Sequence, residues 1–157
     1  MQPVRYADWR MTNEEDARQY SEAIMALDFD TLAKLRDPNW YSVWPQSGEI
    51  VRGSDNNRKI MDSYPGGAPQ LLPEGRLTGS EDRWVVSPLG APYRVAGEGE
   101  QWFGEWKMRY PDGRVWWTII LLELRDGKVL RETQYWAEPI PAPDWRAEWV
   151  EREDVTA

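Results

Sequence analysis

Two Asp-Gly dipeptides, each set between long apolar and β-branched runs, do most to limit what this chain of 157 residues can become. Asp112-Gly113 parts Tyr93–Tyr110 from Arg114–Arg125, and Asp126-Gly127 parts that run from Lys128–Ala137. A tight hairpin turn needs positive φ, which Asp-Gly adopts with little strain, so each dipeptide predicts a hairpin. Arg76–Val86 precedes them across Ser87-Pro88-Leu89-Gly90, and the second half therefore reads as an antiparallel meander of long strands.

The first half has a different period. Thr12-Asn13-Glu14-Glu15 has the form of a capping box, and Ala17, Tyr20, Ile24 and Leu27 then share one helical face. Asp30 is placed to cap a second short helix carrying Leu32 and Leu35. Asp37-Pro38 ends it, because a residue before proline disfavours helical backbone. Asn39–Trp44 is aromatic and β-branched, which predicts a strand closed by Pro45, with a short return at Glu49–Arg52. Ser54 or Asp55 starts a third helix carrying Ile60, Met61 and Tyr64, which Pro65–Pro69 terminates into a loop reaching about Gly75. Gly97, Gly99 and Gly104 fall within strand-like sequence and suggest bulges.

Helices followed by a meander give an α+β fold, read as a single domain over residues 1–157. Residues 138–157 form a proline-stiffened strap and a short tail, in which Trp145 and Trp149 are spaced to pin the tail to the domain. Trp116-Trp117, Ile119–Leu122 and Tyr135-Trp136 put bulky apolar groups on both faces of their strands, whereas a half-exposed strand alternates. Both sheet faces are therefore predicted to be covered, one by the helices and the outer one by a second copy of the chain.

Composition narrows the chemistry. There are eleven tryptophans, no histidine and no cysteine. Imidazole bases, Ser-His-Asp triads, thiol nucleophiles, disulfides and zinc sites of the usual kind are excluded. A net charge of −8 argues against nucleic acid and anionic membrane surfaces as partners. The beginning of the sequence has no apolar signal-like region and no run reaches membrane-spanning length, so the expectation is a cytoplasmic protein. Glu14-Glu15-Asp16 and Ser54-Asp55-Asn56-Asn57 are oxygen-rich but lack calcium-loop spacing, and no phosphate-binding glycine loop is present. No metal and no cofactor is expected.

Trp44-Pro45-Gln46-Ser47-Gly48-Glu49, followed by Arg52-Gly53 and a helix, together with the ending Asp126-Gly127-Lys128-Val129-Leu130-Arg131-Glu132-Thr133-Gln134-Tyr135-Trp136, resembles the nuclear transport factor 2-like superfamily and its SnoaL-like branch. The resemblance implies a cone: a curved antiparallel or mixed sheet wrapped on three N-terminal helices around an internal pocket. It also implies a range of functions, from isomerases, dehydratases, epoxide hydrolases and polyketide cyclases to binding proteins, so fold alone does not settle activity.

Position by position, the epoxide-hydrolase pattern is broken. Tyr41 matches its tyrosine, but Val43 stands for the asparagine, Phe103 for the arginine and Gln134 for the last-strand aspartate, with Glu105 in place of the remaining aspartate. That mechanism is not expected, and a histidine-dependent dehydratase is excluded. The leading expectation is a cofactor-free enzyme that moves a proton with a carboxylate on a hydrophobic small molecule, as an isomerase, cyclase or lyase. The alternative is a non-catalytic ligand-binding or dimeric structural module of the same fold.

Glu105 or Glu132 would be the base, Tyr41 a donor and Gln134 an orienting amide, since an amide hydrogen-bonds but does not act as a base. For Glu105 the resemblance implies an inward side chain, while alternation with Trp102, Trp106 and Met108 implies an outward one. Tyr20, Trp40, Trp44, Trp84, Trp102, Phe103, Trp117 and Trp136 are the candidate pocket walls. Arg52 and Arg58 are candidates for binding a substrate carboxylate, and an acidic, tryptophan-rich cavity also suits a cation.

Overall fold

The fold follows from a computed structural model that describes residues 6–79, 83–86, 92–95 and 100–154, with side chains for 13–72, 75–79 and 100–154. Two helices, α1 (Tyr6–Met25) and α2 (Phe29–Leu35), are followed by β1 (Arg36–Trp44), β2 (Glu49–Arg52) and a third helix, α3 (Ser54–Asp62). The strands β3 (Gln70–Gly79), β4 (Arg83–Val86), β5 (Pro92–Val95), β6 (Gln101–Arg109), β7 (Val115–Arg125) and β8 (Lys128–Ala137) follow. A six-stranded sheet runs in the order β2-β1-β8-β7-β6-β3, while β4 and β5 form a separate hairpin. The sheet is mixed, because β1 pairs in parallel with β8 whereas the other pairs are antiparallel. Curved and unclosed, it forms the expected cone with the helices.

Both predicted hairpins form, with Gly113 and Gly127 at positive φ and Asp126 beside Gly127 also at positive φ. Several boundaries differ from expectation. Helix α1 begins at Tyr6, so the Thr12–Glu15 box lies inside it, and Glu15 instead binds Arg18 and Gln19. The cap of α2 is Asp28, whose Oδ1 accepts from the Thr31 amide at 3.0 Å, while Asp30 sits in the first turn and pairs with Arg58. Gly53 rather than Ser54 or Asp55 caps α3. β3 starts at Gln70, inside the stretch read as loop, and its register shifts between Leu71 and Gly75.

Gly104 is not a bulge but an ordinary rung opposite Leu77 and Ile120. A Cβ there would lie 1.7 Å from Cζ3 of Trp106, and one on Gly75 would lie 1.7 Å from Nε1 of the same indole. The two glycines thus make a bare patch of sheet over which Trp106 lies flat. Gly97 and Gly99 lie outside the described residues.

The core sits between helices and sheet: Tyr20, Ala23 and Leu32 meet Trp40, Trp106, Ile120, Leu122 and Val129. Burial alternates along β1, β6 and β7, as it must when one face packs and the other faces out. On the outer face Ile119 and Tyr135 are 43% and 42% exposed. The tail departs from expectation: Asp144–Trp149 is a short 3-10 helix in which Trp145 and Trp149 are each 73% exposed, so neither indole pins it to this chain. Among the described residues no helix is long and apolar enough to cross a membrane.

Candidate active site

The inner face of the sheet and the three helices line a cavity of about 320 Å³ that opens to the surface. Leu27, Phe29, Ile60 and Met61 line its helical side, Met108, Trp116 and Ile120 its floor, and Trp44 and Trp136 one wall. The two indoles meet edge to face with centroids 5.4 Å apart. The Gln46 side chain holds that wall in place, since its amide nitrogen donates to the Trp136 carbonyl and its oxygen accepts from the Trp136 amide.

At the polar end stands Glu132, on β8 opposite Ser42 of β1 and Leu122 of β7. The residue is 2% exposed. Its Oε2 accepts from the Tyr20 hydroxyl at 2.6 Å, and its Oε1 accepts from the Gln134 side-chain amide. Burying a carboxylate demands such partners, and a cation completes them here. Arg36, at the first residue of β1, brings Nη2 to 3.6 Å from Glu132 Oε2. Its Nε donates to the Tyr20 oxygen at 2.8 Å, Nη2 to Asn57 Oδ1 at 3.0 Å and Nη1 to Ser54 Oγ at 3.3 Å. Its guanidinium lies 3.6 Å from the centre of a Trp40 ring. Burial, and next the Glu132 carboxylate, push the Tyr20 phenol well above its usual range, so Tyr20 remains a donor. Across the cavity Tyr64, Tyr110 and Trp116 cluster. There burial, then Tyr64, push the Tyr110 phenol up.

Of the residues singled out in the sequence, Glu132, Gln134, Trp44 and Trp136 line this cavity. Tyr20 stands behind Glu132, and Trp40 lies under Arg36 rather than on the cavity surface. The others are corrected by strand geometry. Glu105 points outward and pairs with Arg76 at 3.1 Å, its side chain 37% exposed, so alternation and not the resemblance predicts its side. Tyr41 alternates with buried Trp40 and Ser42 and therefore faces out, beneath Arg52. Phe103 and Trp117 share that outer face, opposite Leu121 and beside Lys107 respectively. Trp102 packs on the core but does not line the cavity. The Trp84 side chain lies outside the described residues. Arg52 and Arg58 are engaged elsewhere, Arg58 with Asp30.

The sequence reading missed Arg36 and Asn57. Arg36 precedes Asp37-Pro38 and has no apolar neighbour pattern to mark it as buried. Asn57 stands in a run taken for a helix start, although Ser54 and Asn57 are three apart and so share the face that meets Arg36. Among the described residues no three acidic, histidine or cysteine side chains converge as a metal site would require.

No family model matches the chain, and no curated protein matches its sequence. Solved structures do. A Burkholderia xenovorans protein described as NTF-2 like and of unknown function shares 29% identity, with a TM-score of 0.64 over 91% of this chain and 96% of that one. A candidate ketosteroid isomerase from Kribbella flavida superposes with a TM-score of 0.64 at 20% identity, over 92% of this chain and 93% of that one. A candidate polyketide cyclase from Xanthomonas campestris gives 0.57 at 18% identity, over 81% and 91%.

Proposed function

We propose that this chain, a protein of the nuclear transport factor 2-like superfamily, is a cofactor-free enzyme that uses Glu132 to move a proton on a hydrophobic small molecule. One observation carries the reading: a buried carboxylate fixed by Tyr20 and Gln134 on the wall of a largely apolar, aromatic cavity. Glu132 takes a proton from a C–H beside a carbonyl, and the electron pair moves onto the carbonyl oxygen. The same carboxylic acid returns the proton to another carbon in an isomerase, or the enolate expels a leaving group in a lyase. Tyr20 and Gln134 orient the carboxylate, and aromatic walls exclude water from the enolate. Asn57 turns its Oδ1 to Arg36, which directs its amide N–H groups away from that cation as candidate donors to the oxyanion.

The test is deuterium uptake. Cyclic, enolisable ketones incubated in deuterated water with the protein are expected to exchange α-protons faster than in buffer, as read by NMR. Glu132→Gln, checked for folding by circular dichroism, should lose that rate by at least about a hundredfold. Equal exchange by the folded variant and the parent refutes the assignment.

A specific feature favours a second reading. Arg36 occupies the Oε2 side of Glu132 and competes for its lone pairs, as suits a non-catalytic carrier that binds the same ligands. A cytoplasmic location and a homodimer through the outer sheet face belong to the proposal. The dimer is supported by exposed Ile119, Leu121 and Tyr135 on adjoining strands. A monomeric mass by light scattering at micromolar concentration overturns it.

A further inference from the structure

The polar groups of the cavity can be sorted by what each still offers a ligand. Arg36 directs its N–H groups to Tyr20, Ser54, Asn57 and Glu132, and its face to Trp40, so its charge is turned into the wall. Gln134 gives its amide nitrogen to Glu132, which points its Oε1 the other way. Thr118 donates its hydroxyl to the Tyr135 carbonyl, and Ser47 faces the Glu49 carboxylate and the Trp44 carbonyl. On the β8 side of the cavity the groups facing inward are therefore acceptors, namely the remaining lone pairs of Glu132, Gln134 Oε1 and, at the rim, Glu49, while the Asn57 amide N–H groups stand opposite, on α3.

Beside these acceptors stands the Trp44–Trp136 pair. Gln134 and Trp136 follow Glu132 on the same face of β8, each step being about 6.8 Å. An indole face attracts a cation through its quadrupole, and the attraction grows as water is excluded. Two carboxylates line the cavity against a single guanidinium that is already paired with one of them. The surrounding chain carries a net charge of −8, which raises the local concentration of cations.

We propose that the cavity selects an organic cation, a protonated amine carried on a bulky apolar body, with its N–H groups on Glu132 and Gln134 and its charge against the Trp44–Trp136 wall. The inference rests on the cavity assigned above and narrows its substrate class. It requires no change to the network behind Glu132, because an ammonium group brings only donors to the β8 side of the site, which presents acceptors. An anionic head meets like charge on both carboxylates and is rejected.

The experiment compares naphthylethylamine, naphthylethanol and naphthylacetate by calorimetry and ligand-observed NMR on the full chain at about pH 7, where amine and acid are fully ionised. The amine is expected to bind at least about tenfold tighter than the alcohol, and the carboxylate more weakly still, because like charge repels it. Glu49→Gln, at an exposed rim position where folding is not at stake, should reduce the preference for the amine severalfold and leave the alcohol unchanged. Carboxylate binding equal to or tighter than amine binding overturns the proposal, as does absence of binding by all three at about millimolar concentration. Amine selectivity without ketone exchange in the deuterium assay upholds this inference and overturns proton transfer; exchange with no preference among the three head groups does the reverse.

Discussion

Replacing Arg36 by methionine isolates how the site is held. Methionine keeps an unbranched stem over Trp40 but removes the charge that faces Glu132. Both side chains are almost fully buried, at 3% and 2% exposure, so solvent does little to screen their interaction. Removing one member of such a pair leaves a charge in a low-dielectric wall and costs about 3–5 kcal/mol. For a domain of this size that is a fall in Tm of about 6–20 °C. Glu132→Gln on the methionine background removes the orphaned charge and retains an acceptor for Tyr20. The double variant should therefore be at least about 2 kcal/mol more stable than the sum of the single effects implies. Urea unfolding followed by tryptophan fluorescence measures all four corners of the cycle. The reasoning fails if Arg36→Met costs less than about 1 kcal/mol, or if the two effects simply add.

Gly104→Ala should destabilise by about 1–3 kcal/mol, because its Cβ would collide with the Trp106 indole, and Trp106→Leu should relieve much of that penalty; equal urea midpoints for Gly104→Ala and the parent exclude the close approach. Asp37 accepts from the Asn39 backbone amide and binds Arg125, which hold its carboxyl below the usual range. Its folded value being depressed, the stability it contributes is complete above the unfolded value of about 3.9 and disappears as pH falls through the folded one. Asp37→Asn should accordingly flatten the acid limb of a urea-midpoint profile. The raised Tyr20 phenol carries the opposite sign: its contribution is complete below the unfolded value of about 10 and fades as pH rises beyond it. Tyr20→Phe should make that alkaline limb shallower, measured by the same unfolding assay.

The sequence made the sheet legible and the site only partly so, for physical reasons. Asp112-Gly113 and Asp126-Gly127 act locally, since φ at two residues decides a hairpin, and both turns form where expected. Paired apolar residues such as Trp116-Trp117 correctly marked strands with apolar groups on both faces. A period of two, however, carries no absolute phase. Tyr41 and Trp40 are equally aromatic, and only the β1–β8 register shows that Trp40, Ser42 and Trp44 face in. Glu105 illustrates the same ambiguity, resolved by the packing of Trp106 over two glycines. Arg36 was illegible because its burial depends on Tyr20, Asn57 and Glu132, partners that sequence spacing cannot bring together.

Because β8 enters the sheet between β1 and β7, the last of the described strands is structurally central. Tyr20 and Glu132 stand 112 residues apart, so this hydrogen bond cannot exist until the chain through β8 has left the ribosome. Until then β1 and β7 present open edges, and Arg36 has no carboxylate opposite it. Distant pairings of this kind slow folding, and they also make it conditional. A polypeptide interrupted before Lys128 has neither a joined sheet nor the cavity's Glu132 and Trp136, and it exposes unpaired strand edges. Placing the key carboxylate on the strand that joins β1 to β7 thus ties possession of the site to closure of the sheet.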